Sequence, residues 1–202
     1  MPLPREHSHP LAAAAALALA VALAIPAAPA AKAADPAQGL RTFAAGRILL
    51  DDSPLPPSAA KAAEAGEPIE LPDPWSVVRP AAKGFAWYLF DWPLDEPPDG
   101  IFAVYLPGTN VPVQVFVNDT LVGATGDLSG RRPQSWERSQ AFALPFALPH
   151  AGTNRIALRV HVPHASLGGL APIVVGPAVE IRRLAFADLL VQLFQHLSDA
   201  GP

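Results

Sequence analysis

At 202 residues the chain has the size of one domain with appendages, enough to bury a core of its own. It contains no cysteine, which excludes disulfide staples, a thiolate nucleophile and thiolate metal ligands. A formal net charge of −4 leaves no basic stripe for a phosphate backbone, so nucleic acid is not an expected partner.

In chain order, the first segment reads as a targeting signal. Arg5 gives a weakly basic start, Leu11 to Ile25 is an unbroken apolar run, and Ala31-Lys32-Ala33 offers small residues where a signal peptidase reads. A run of about 15 residues falls short of the roughly 20 that a spanning helix needs, and Pro26 with the Ala cluster argues against a retained anchor. Residues 1–33 are therefore predicted to be a cleavable signal peptide. The mature chain is expected in the periplasm or on the outer side of the cytoplasmic membrane. Cleavage removes Arg5, Lys32 and Glu6 and makes the chain one unit more negative.

Residues 34–67 form an Ala- and Pro-rich lead-in, in which Arg47-Ile48-Leu49-Leu50 is expected as a short edge strand and residues 57–65 as a helical turn or two. At Pro68 the texture changes. The 25 prolines and 14 glycines suit short strands and many turns, and a β-domain is predicted over 68–182. Trp87-Tyr88-Leu89-Phe90-Asp91-Trp92 is bulky on both faces, as in a strand covered on both sides. A second strand runs from Ile101 to Leu106. Val113, Val115 and Val117 share one face of a third, which Asn118-Asp119 turns into Leu121-Val122-Gly123. Residues 126–140 are polar and read as a long loop. Ile156, Leu158, Val160 and Val162 alternate with Ala157, Arg159 and His161, giving one dry and one wet face. Ile173 to Pro177 is a further buried strand. From 183 to 202 the period becomes helical, with Phe186, Leu189, Leu190, Leu193 and Leu197 on an amphipathic helix of about 14 residues.

Four phrases along this β-domain carry a resemblance. They are Leu71-Pro72-Asp73-Pro74-Trp75, Gly84-Phe85-Ala86-Trp87-Tyr88, Val115-Phe116-Val117-Asn118 and the segment Gly152 to Val160. In this order they resemble the galactose-binding-like jelly roll at the start of family 2 glycoside hydrolases, and its relative in the extracytoplasmic part of bacterial sensor histidine kinases. The resemblance covers about Ile69 to Pro177. It implies an all-β jelly-roll sandwich that binds and senses but does no chemistry. In the kinases a helix, a membrane region and a kinase follow. Here a helix follows and the chain stops at Pro202, as in a truncated or separately encoded sensor.

Candidate chemistry is sparse. Asp91, Asp95, Glu96 and Asp99 suggest a glycosidase acid–base pair, but three of the four fall in a Pro-rich turn where carboxylates are ordinarily solvated. His161 and His164 have a spacing metal sites use, without Cys or a nearby carboxylate to complete a set. No enzyme, metal or cofactor is predicted. A ligand site is expected in the long loop, where Trp136 offers a flat ring beside Arg131, Arg132 and Arg138. The competing role for Trp136 is rim packing. Trp75, Trp87 and Trp92 lie within strand patterns and are expected to pack. Phe186, Leu190 and Leu193 are expected to dock a partner, either a membrane-bound signalling protein or a second copy. The reading reached is a non-catalytic periplasmic sensory domain for a small molecule or sugar. A carbohydrate-binding module is the alternative, and a degenerate remnant that only docks is a third.

Overall fold

The computed structural model of the protein describes residues 39–128 and 139–199, with the side chains of the last helix described as far as Phe194. Among the described residues ten strands form two antiparallel sheets. In chain order they are β1 (Arg41–Phe43), β2 (Ala45–Leu50), β3 (Glu67–Glu70), β4 (Gly84–Leu94), β5 (Phe102–Leu106), β6 (Val113–Val117), β7 (Thr120–Ala124), β8 (Gln140–Ala143), β9 (Gly152–Val162) and β10 (Ile173–Pro177). The helices are α1 (Ala59–Ala65), the single turn α2 (Trp75–Val78) and α3 (Ala178–Asp199). One sheet runs β3-β2-β4-β9-β6-β7 and the other β1-β10-β5-β8. The fold is a jelly-roll β-sandwich with a C-terminal helix.

The period-2 pattern decides what each sheet buries. Tyr88, Phe90 and Trp92 of β4 and Ile156, Leu158 and Val160 of β9 point between the sheets, meeting Val104 of β5 and Ile173 of β10. β4 and β9 pair without a break from Gly84 opposite Val162 to Leu94 opposite Gly152, and form the spine of the larger sheet. The reverse face of β4 is apolar too, because it is covered. Trp87 and Leu89 pack with Leu49, Phe116 and Ala157 beneath Ala62 of α1. Ser58 caps α1 by accepting from the Lys61 amide at 3.2 Å.

Two buried polar chains fix the loops. Asp73, itself buried, accepts from the Tyr88 hydroxyl at 2.9 Å and from Arg79 at 2.5 Å, while the Trp75 indole donates to Tyr88 at 2.8 Å. The Leu71-Pro72-Asp73-Pro74-Trp75 phrase is thus a structural latch. Gly168 lies against it, and a Cβ there would stand 2.7 Å from the Trp75 ring. At the other end, Asn118 and Asp119 adopt φ of 47° and 63°, the geometry of a type I′ hairpin turn between β6 and β7. Asn118 donates to the side chain of fully buried Asn154 at 2.7 Å and accepts the Arg155 amide at 2.9 Å, which ties the hairpin to the start of β9.

Three sequence expectations change. Arg47–Leu50 is no edge strand: β2 pairs with β3 on one side and β4 on the other. The sandwich thereby begins at Arg41, inside the segment read as a lead-in, rather than at Pro68. The C-terminal helix starts at Ala178, not 183, and its inner contacts come from Ala178, Ile181, Leu184 and Ala185 against Ala103 and Tyr105 of the smaller sheet. Its Phe/Leu stripe does not pack on the sandwich; Phe186, Leu190 and Leu193 are exposed. No described helix is long and apolar enough to cross a membrane.

Candidate functional site

The outer face of the six-stranded sheet gathers most of the polar chemistry. On β4 and β9 the outward positions stand opposite one another as Phe85 with His161, Trp87 with Arg159, Leu89 with Ala157 and Asp91 with Arg155. The first two pairs are packed shut. His161 stacks on Phe85 with ring centres 4.4 Å apart, and the Arg159 guanidinium lies 4.4 Å from the centre of the Phe85 ring. Arg159 donates to the Asp52 carbonyl at 2.8 Å and Trp87 to the Ser53 carbonyl at 3.3 Å, so the segment following β2 lies over them. Asp51 in that segment accepts from Lys61 at 2.6 Å, a bond that holds its carboxyl below the ordinary carboxylate range.

Toward Asp91 the face opens. A cleft of about 420 Å³ lies between α1 and strands β2, β4 and β9, lined by Gly46, Arg47, Leu89, Asp91 and Arg155. Each arginine is tethered by one nitrogen to a backbone carbonyl, Arg47 to Gly66 at 2.7 Å and Arg155 to Pro57 at 3.0 Å. The tethers orient both guanidinium planes and leave further N–H groups for a guest. Asp91 is exposed, and among the described residues no ion pair joins it to either arginine. Gly46 has room only for hydrogen, since a Cβ would stand 2.7 Å from the Phe90 ring and the Leu89 carbonyl. The arrangement presents fixed donors and one acceptor over an apolar floor, which suits a small polyhydroxylated or acidic guest.

The smaller sheet carries the second feature. α3 lies across it, its first residue donating to the Ile101 carbonyl at 2.8 Å, Ile181 fully buried beneath it, and the Tyr105 hydroxyl bonded to Asp188. Burial, and then the bond to Asp188, push the Tyr105 hydroxyl up to about 12. Beside the helix start is an apolar groove of about 500 Å³ bordered by Ile101, Ala141, Val179 and Arg182.

The loop candidates Trp136, Arg131, Arg132 and Arg138 lie outside the described residues. The acidic group is divided: Asp91 faces the cleft from β4, whereas Asp95, Glu96 and Asp99 are exposed in the segment after that strand. His161 is committed to its stack, and among the described residues no three His, Cys, Asp or Glu side chains gather as for a metal. Trp75, Trp87 and Trp92 are core residues. Sequence reasoning missed that Arg47 and Arg155 line the same cleft as Asp91. The available signal was outward charge on β2, β4 and β9, which Arg159 and His161 of β9 share without lining the cleft.

No family model and no curated protein sequence matches the chain. Solved structures do match. A family 2 glycoside hydrolase from Bacteroides cellulosilyticus aligns with a TM-score of 0.52 at 16% identity, over 68% of this chain and 20% of its own. A β-glucuronidase from Ruminococcus gnavus, in complex with uronic deoxynojirimycin, aligns with a TM-score of 0.50 at 8% identity, over 69% of this chain and 29% of its own. The fold is a sandwich of the kind these hydrolases contain. At such identities the likeness is one of fold, and the chain spans less than a third of either neighbour.

Proposed function

We propose that the protein is an exported, non-catalytic recognition domain of the sensory-input type, with the Arg47–Asp91–Arg155 cleft as ligand seat and α3 as output. The observation that carries this reading is the division of labour between the sheets. One holds an open polar cleft, the other an anchored helix, and a single core joins them. A guest bridging β2, β4 and β9 loads the spine of the larger sheet, whose inner side chains pack directly on β5 and β10 beneath the helix. The non-catalytic assignment rests on the cleft lining, where Asp91 is the one carboxylate among the described residues, whereas glycosidases flank the scissile bond with two. Export rests on the Arg5, Leu11–Ile25 and Ala31–Ala33 pattern.

The second reading is a carbohydrate-binding module without an output role. It is favoured by the sandwich fold shared with sugar hydrolases and by arginine donors and a carboxylate acceptor that line one cleft. Calorimetric titration with neutral monosaccharides and with sugar acids tests both. Binding should weaken at least tenfold in Arg155→Ala and in Asp91→Ala. Amide exchange over residues 178–194 then separates the readings: altered exchange on ligand addition supports the sensor, unchanged exchange the module. If no guest binds, or binding survives both substitutions, the cleft is not the seat.

A further inference from the structure

We infer that the outer face of α3 is a self-pairing surface, on which a second copy of this chain docks helix to helix. The inward stripe of the helix is Ala178, Ile181, Leu184, Ala185 and Asp188, which packs or bonds to the smaller sheet. The outward stripe is Phe186, Leu189, Leu190 and Leu193. At 3.6 residues per turn the two stripes are centred roughly 140° apart, so satisfying one does nothing for the other. The outward residues are between 39% and 62% exposed, a contiguous run of large apolar side chains such as monomeric surfaces seldom show.

Two features select a second copy as the occupant. The first is area. With about 100 Å² of exposed surface on each of the four residues, an isologous pair removes ~800 Å² in all, the small size of a weak, reversible dimer. The second is charge. Phe186, Leu190 and Leu193 follow one another by four and three residues, the spacing of a knobs-into-holes seam. Between Phe186 and Leu193 the only charged residue is Asp188, which is turned inward onto Tyr105. A two-fold pairing centred near Leu190 therefore brings no like charges together, and sets Phe186 or Leu190 of each copy against the same stripe of the other. The sandwich lies on the far side of the helix and does not obstruct approach. The pairing is independent of what the cleft binds.

Sedimentation equilibrium of the mature chain across a concentration series reads this directly. The expected result is a reversible monomer–dimer equilibrium that Leu190→Asp weakens at least tenfold, with the melting temperature of the dilute monomer unchanged because the stripe does not touch the sandwich. Leu190→Glu and Leu190→Lys should each be monomeric alone and pair when mixed. That rescue excludes misfolding and non-specific clumping as the cause. A monomer at every concentration overturns the inference, whether or not it binds phosphatidylglycerol–phosphatidylethanolamine vesicles. So does a dimer that Leu190→Asp leaves intact.

Discussion

Replacing Tyr88 with phenylalanine removes one oxygen atom from the middle of a three-member buried chain. The indole N–H of Trp75 loses its acceptor, and the carboxylate of Asp73 loses one of its two side-chain donors. Tyr88 and Trp75 are fully buried and Asp73 nearly so, which leaves little access for water to replace either bond. A buried polar group left unpaired costs about 1–3 kcal/mol, so the substitution should cost ~2–5 kcal/mol. For a domain of this length that corresponds to a fall in melting temperature of about 5–15 °C. Urea unfolding followed by circular dichroism measures the free energy. The sharper test is the double substitution with Trp75→Phe, which removes the orphaned donor. Its cost should fall short of the sum of the single substitutions by about 1 kcal/mol or more. A Tyr88→Phe protein within about 0.5 kcal/mol of wild type, or a strictly additive pair, would refute the latch.

Asp119→Gly should raise stability by about 0.5–1 kcal/mol, because the turn holds Asp119 in the left-handed region that glycine enters without steric cost. A lower urea midpoint would contradict the type I′ assignment. The two tyrosines of the chain should both titrate late. Burial, reinforced by Asp73, drives Tyr88 far above the ordinary value of about 10, and Tyr105 is raised to about 12. Both are neutral in the fold, so their contribution is complete below about pH 10 and is lost as the pH rises toward 12, where the unfolded chain ionises first. Phenolate absorbance should therefore stay low until unfolding begins. Ordinary titration near pH 10 in the folded protein would contradict the burial of both hydroxyls.

Much of the sandwich is legible along the chain. Val113, Val115 and Val117, and Ile156 to Val162, state their inward face by simple alternation, and Asn118-Asp119 states its turn. The two-sided bulk of Trp87 to Trp92 correctly implies cover on both faces, though not that Ala62 supplies part of it. What fails is what neighbours decide. β2 resembles an edge because Ala and Pro surround it, and its second partner is a four-residue strand containing Pro68. Val179-Glu180-Ile181-Arg182 alternates as a strand does, yet it forms the first turn of α3. The cleft was hidden for the same reason. Arg47, Asp91 and Arg155 lie far apart in sequence and meet only because β2, β4 and β9 are adjacent in the larger sheet, an order that periodicity does not encode.

The passage from β1 to β2 bears on how the domain carries load. Ala44 alone separates a strand of the smaller sheet from one inside the larger. Tension arriving from the N-terminal side meets a three-residue pairing with β10 first and a strand held on both flanks immediately after. The first is a fuse and the second a bolt. A pull applied at Arg41 would therefore strain the pairing of β1 with β10 before it reached the spine of β4 and β9 and the cleft upon it.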